Sequence, residues 1–115
     1  MPRQHVQASE LTTLCFDCFH STRKEAVMLI IRNDQNGHAN ILFRCSELCG
    51  IAARSLILGW STKSGLIREC IASCEASADI CEAQALDACA SLCWEVSAAL
   101  AEMAMRASPP LLAAE

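Results

Sequence analysis

The chain has 115 residues, of which 53% are hydrophobic and 4% aromatic, and it carries a net charge of −4. A chain of this length supports one hydrophobic core, so residues 1–115 are expected to form a single domain. The acidic balance leaves no basic face to neutralise phosphates, and the longest uncharged apolar run, Ala26–Ile31, is too short to cross a bilayer; neither nucleic acid nor a membrane is an expected partner.

Ala, Leu and Ile dominate the apolar set, while three Pro, four Gly and no Tyr give little from which to build a β-sandwich, so an all-α fold is expected. Ser9 is a candidate cap for a first helix over about 9–32, in which Leu11, Leu14, Cys15, Cys18 and Phe19 follow the helical period. Its AVMLII end taken alone would also suit a strand. Asn33–Gly37 (NDQNG) reads as a turn, because Asn and Gly tolerate left-handed backbone angles. A second helix, about 38–58, places Ile41, Leu42, Cys45, Leu48, Cys49, Ala52 and Leu56 at three- and four-residue steps and stops near Gly59. Ser61 or Ser64 can cap a third, about 62–83, with Ile67, Cys70, Ile71, Cys74, Ala78 and Cys81 on one stripe. The fourth, about 86–107, ends before Pro109 and Pro110. The boundary between the last two, CEAQALDAC, holds neither Gly nor Pro and is placed near Gln84 on length grounds alone. Residues 1–8 and 108–115 are expected to be flexible ends.

Nine cysteines in so short a chain would mark a disulfide scaffold if the protein were secreted. The opening residues, MPRQHVQASE, lack the apolar stretch of a secretory signal, and an odd count cannot pair fully within one chain. A cytosolic protein with reduced thiols is therefore expected, and metal binding is the leading use for them. Cys15 and Cys18, Cys45 and Cys49, Cys70 and Cys74, and Cys89 and Cys93 place one pair on each expected helix, with Cys81 the ninth. Four residues turn a helix about 40° past a full turn and eleven bring it back within about 20°, so Cys70, Cys74 and Cys81 share the apolar face.

In an antiparallel up-down bundle these residues rank by distance from the end where the chain starts. Cys15 and Cys70 lie nearest it, then Cys18, Cys49 and Cys74, then Cys45 and Cys93, then Cys81 and Cys89, a track roughly 18 Å long at 1.5 Å rise per residue. A buried thiolate needs a counter-charge, and copper(I), soft and monovalent, supplies it through two sulfurs with no carboxylate or imidazole. Zinc suits less well, since it prefers four ligands at a tetrahedral point, often with a His among them.

These repeated CxxC and CxxxC steps resemble the cysteine-rich four-helix-bundle copper-binding proteins, the copper storage family. The likeness covers about Leu11–Met103 and is closest in RCSELCGIAARSL and ECIASCEASADICEAQALDACASLC. It implies an antiparallel up-down four-helix bundle with a cysteine-lined core, copper(I) on the nine cysteines, a cytosolic storage role, and a homo-oligomer, tetrameric in much of the family, with a dimer as the alternative. The chain departs from the pattern by holding Thr22, Glu25, Ser77, Val96 and Leu100 where denser members continue the cysteine series, and it lacks their His-rich turn between the last two helices.

His5, His20 and His38 share no spacing that suggests a site, and Met28, Met103 and Met105 read as core filler or as soft thioethers at the bundle ends. Trp60 and Trp94 read as packing or subunit-contact residues. Catalysis finds no support: there is no phosphate loop, no matched carboxylate pair and no nucleophile elbow, and CFDC lacks the strand that a redox CxxC follows. Two other uses of the thiols stay open, a metal-free structural or interaction bundle and a thiol redox sensor.

Overall fold

The computed structural model describes residues 8–34, 36–59 and 64–107, and these form four helices: α1 Ala8–Ile31, α2 His38–Leu58, α3 Ser64–Ala83 and α4 Asp87–Ala107. No strand occurs among the described residues, and the AVMLII segment is the helical end of α1. The fold is an all-α bundle in which each helix packs against its two neighbours around a ring, most extensively α1 on α2 and α3 on α4.

Cross-links fix the directions. Trp94 Nε1 donates to Glu82 at 2.8 Å and Ser97 Oγ to Glu75 at 3.3 Å, so α4 ascends as α3 descends. Cys49 meets Cys70 and Cys45 meets Cys74, which sets α2 against α3 in the same sense. Ser46 Oγ donates to the Phe19 carbonyl at 2.9 Å, tying α2 to α1. The two helices approach closely beside it: a Cβ on Gly50 would stand 3.2 Å from the Phe19 ring, which would have to give by a few tenths of an ångström.

The helix ends show why the chain turns where it does. Asn33 adopts φ 64° and Ala85 φ 60°, and each closes the preceding helix by a paired motif. Asp34 N–H donates to Leu29 O and Asn33 N–H to Ile30 O; Leu86 N–H donates to Cys81 O at 2.7 Å and Ala85 N–H to Glu82 O at 3.1 Å. This six-to-one plus five-to-two pattern satisfies carbonyls that a helix end would otherwise leave unpaired. The α3–α4 reversal thus falls at Gln84–Leu86 without a glycine. Gly59 caps α2 at φ 68°. Ser9 lies inside α1 rather than capping it, where its carbonyl accepts from Thr13 Oγ1; Ser64 is the first residue of α3, and Ser61 lies outside the described residues. The expected flexible ends fall outside them too, apart from Ala8, which is helical.

Each helix turns one stripe inward. On α1 it is Leu11, Cys15, Cys18, Thr22, Ala26 and Leu29; on α3, Ile67, Cys70, Cys74, Ser77, Ala78 and Cys81. Leu11, Ile67 and Leu100 close the end where α1 begins, and Ile67, Leu100, Met103 and Cys70 line a cavity there of only about 10 Å³. Leu29, Ala39 and Leu42 fill the far end. Between the two apolar ends the core is sulfur. By length and composition α4 (Asp87–Arg106) would cross a membrane, but Cys89, Ala90, Cys93, Val96, Ala99 and Leu100 turn its apolar stripe into the bundle.

Candidate metal centre

All nine cysteines are free and buried, eight of them at 0% exposure and Cys89 at 3%. Their placement follows from the inward stripes: each lies three, four, seven or eleven residues from another on its own helix, so the backbone cannot turn one inward without the rest.

The sulfurs interlock across α2 and α3. Cys49 Sγ lies 3.9 Å from Cys70 and 3.7 Å from Cys74, and Cys74 lies 3.7 Å from Cys45. Cys49 thus sits between two sulfurs of α3 and Cys74 between two of α2, a half-turn stagger like knobs in holes. From the opposite side Cys18 enters the same level and reaches Cys93 at 3.8 Å. Cys18, Cys45, Cys49 and Cys74 form a quartet with all sulfurs within 4.8 Å of one another.

The quartet adds contacts to the sequence ranking. Cys45, expected beside Cys93, meets Cys93 and also reaches Cys18, Cys49 and Cys74. Ranking by residue number assumes four helices in axial register, whereas the half-turn stagger of α3 lets Cys74 touch both cysteines of α2. The remaining order agrees with the contacts: Cys15 senses Cys70, Cys18 and Cys45 electrostatically, while Cys89 contacts Cys81 and Cys93.

Burial and mutual contact set the thiol acidities. Burial pushes Cys15 up to about 12, with thiolate charge on Cys70, Cys18 and Cys45 adding to it. Contacts with Cys49 and Cys74 hold Cys70 at about 5, and contacts with Cys81 and Cys93 hold Cys89 at about 3. Cys18 sits at about 6, since its contact with Cys45 raises it and those with Cys49, Cys74 and Cys93 outweigh that. Cys45 is lowered by Cys18, Cys49, Cys74 and Cys93. Cys49, Cys74 and Cys93 are raised, foremost by Cys18. Cys81 rises to about 12 through Cys89 first, then burial, with Glu25 adding a repelling charge. No Lys, Arg or His is buried among the described residues to balance a thiolate. A thiolate here is therefore balanced either by regaining its proton or by a bound soft cation.

A sequence-family model described as Copper storage protein matches residues 3–105. The chain belongs to the copper storage protein family. The match takes in all nine cysteines and all four helices but for the last two residues of α4, and the family it names is one of storage rather than catalysis. Searches of curated proteins and of solved structures give no match.

The other residues singled out from the sequence lie apart from the sulfur track. His20 is exposed, its ring edge-on to Phe19 at 4.9 Å between centroids, and His38 faces Asp34 at 3.7 Å in the α1–α2 turn. Met105 is exposed, Met103 packs at the closed end, and Trp94 is on the surface, bonded to Glu82. His5 and Trp60 lie outside the described residues. Sequence reasoning passed over Ser21, whose side chain helps to lower the Cys89 thiol. The signal was present in its position, three residues after Cys18 on a stripe that faces the core.

Proposed function

We propose that the chain binds and stores copper(I) in the cytosol through the thiolates of its nine inward cysteines, without catalysis. The quartet of Cys18, Cys45, Cys49 and Cys74 carries the reading: four soft donors from three helices converge with no carboxylate, imidazole or cation at their level. Cys15 and Cys70 continue the track on one side and Cys93, Cys89 and Cys81 on the other.

Edges of 3.7 Å would also suit a zinc ion on four thiolates, since Zn–S bonds of about 2.3 Å at a tetrahedral point separate sulfurs by about 3.8 Å. Charge favours copper. One divalent ion on four thiolates leaves two negative charges in a core that holds no buried cation among the described residues, and uncompensated charge costs several kcal/mol per ion there, on the order of the whole stability of a domain. A copper(I) ion on two thiolates leaves only one negative charge, and thiolates shared between neighbouring ions bring the core to neutrality at one ion per thiolate. Family membership points to the same metal. Self-association of the bundle, as a tetramer or a dimer, belongs to the same reading.

An anaerobic titration of the reduced chain with copper(I), against a chromophoric chelator, tests it. Tight uptake of several ions per chain is expected; uptake of one ion or none refutes storage.

A further inference from the structure

The sulfurs lie too deep to be reached in the closed bundle. Eight of the nine are at 0% exposure and Cys89 is at 3%, and the cavity that Cys70 lines, about 10 Å³, has room for one water at most. An ion held among them enters or leaves only when helices part. The pattern of contacts between helices shows which ones part most readily.

The bundle consists of two hairpins, α1–α2 and α3–α4, each packed more extensively within itself than against the other. Oxygen and nitrogen tie each hairpin internally. Ser46 Oγ donates to the Phe19 carbonyl at 2.9 Å in the first, and Trp94 Nε1 to Glu82 at 2.8 Å and Ser97 Oγ to Glu75 at 3.3 Å in the second. The turn of each is closed by its paired carbonyl motif. Across the seam between the hairpins the buried contacts are of sulfur: Cys18 to Cys93 at 3.8 Å, Cys45 to Cys74 at 3.7 Å, and Cys49 to Cys70 at 3.9 Å and to Cys74 at 3.7 Å. Each joins one hairpin to the other, and each is weak, because a thiol is a poor donor and a poor acceptor. The Arg44–Glu69 ion pair also crosses the seam, at 3.2 Å, but its side chains are 56% and 59% exposed, so water screens it and it adds little.

We propose that the seam between the two hairpins is the port of the store and that copper(I) is its clasp, an inference that rests on the storage reading above. The metal-free chain opens transiently along the seam and exposes sulfurs of both hairpins together. An ion that enters bridges a sulfur of one hairpin to a sulfur of the other. Two metal–sulfur bonds then stand where a weak thiol–thiol contact stood, the two thiol protons leave to solvent, and no electron moves. Because the bridging arrangement exists only in the closed bundle, each ion shifts the equilibrium toward closure. Opening, and with it further uptake and release, slows as the store fills.

An aromatic disulfide reagent for thiols, in excess over the reduced full-length chain without oxygen, tests the port in the absence of copper. Partly reacted samples, mapped by peptide mass spectrometry, should contain molecules labelled on sulfurs of both hairpins and molecules not labelled at all, with a rate that stays level at low urea, where global unfolding is rare. Arg44→Glu sets like charges across the seam and should raise the rates of labelling and of copper(I) uptake about two- to fivefold; adding Glu69→Arg should restore both. Ser97→Ala, which cuts a tie inside one hairpin, should leave both rates unchanged, and copper-loaded chain should label at least about tenfold more slowly. The port is overturned if label appears first at one end, on Cys15 and Cys70 or on Cys81 and Cys89, if labelling rises with urea in step with global unfolding, or if Arg44→Glu changes neither rate. Copper(I) stoichiometry at equilibrium, which Arg44→Glu should leave unchanged, separates the two ideas. Several ions per chain with end-first labelling refutes the port alone, whereas one ion or none refutes storage and the clasp together.

Discussion

Ser77→Ala should stabilise the metal-free chain, although it removes an atom from a fully buried position. The Ser77 hydroxyl is at 0% exposure and lacks a partner, so folding strips it of water and returns nothing. That desolvation costs about 1–3 kcal/mol, while losing one oxygen-sized volume from a helix-rich core costs under about 1 kcal/mol, and Ala also favours the helix over Ser by a few tenths. The net expectation is a gain of about 1 kcal/mol, or roughly 4 °C in midpoint for a domain of this size. Thr22 supplies the contrast. Its hydroxyl is equally buried but bonded to the Cys18 carbonyl at 2.7 Å, so the near-isosteric Thr22→Val should lose up to about 1 kcal/mol. Urea and thermal unfolding of the reduced protein in the presence of a chelator measure both. If Ser77→Ala is destabilising by 1 kcal/mol or more, or if both variants shift in the same direction, the Ser77 hydroxyl is satisfied in the apo core and the reasoning fails.

Cys49→Ser with Cys74→Ser removes half of the quartet, so the ceiling of one copper(I) per thiolate falls from nine to seven, with far-UV circular dichroism reporting a bundle that still folds. Ala85→Gly should gain about 0.5 kcal/mol in urea unfolding, because φ 60° strains alanine and suits glycine, an advantage partly offset by the freer unfolded chain. Raising the pH should destabilise the apo protein: Cys15 and Cys81 ionise near 9 when unfolded and near 12 when folded, so the folded state holds more protons and its stability is lost as pH climbs through that window. Copper-loaded protein, its thiols already deprotonated, should show a flatter profile in thermal melts from pH 8 to 11.

Much of this was readable in the residues, for physical reasons that differ from element to element. The cysteine stripes repeat at helical steps through apolar sequence, and a helix that buries one such residue must bury the others, so four inward rows of sulfur followed from spacing alone. Turn residues were equally plain at Asn33 and Gly59, which bring left-handed angles at little cost. The α3–α4 reversal was weakly marked because Ala85 takes the angle that glycine usually takes. Cys45 meets Cys93 as its spacing implies, but its reach to Cys74 was not legible, because spacing fixes rotation about each helix and not the axial offset between two of them; packing of α3 on α2 decides that. Ser77 was noticed only as a missing cysteine, since an unpaired hydroxyl can be recognised only once its surroundings are known. Ser21 is polar on a core-facing stripe, a conflict with its neighbours that pattern reading tends to assign to the surface.

Diffraction from crystals of copper-loaded protein, with anomalous data collected on both sides of the copper absorption edge, tests the central claim most directly. Strong copper peaks should lie inside the bundle, among Cys18, Cys45, Cys49 and Cys74 and onward to Cys15 and Cys70. Peaks confined to surface histidines and carboxylates, with the nine sulfurs unoccupied, would contradict it.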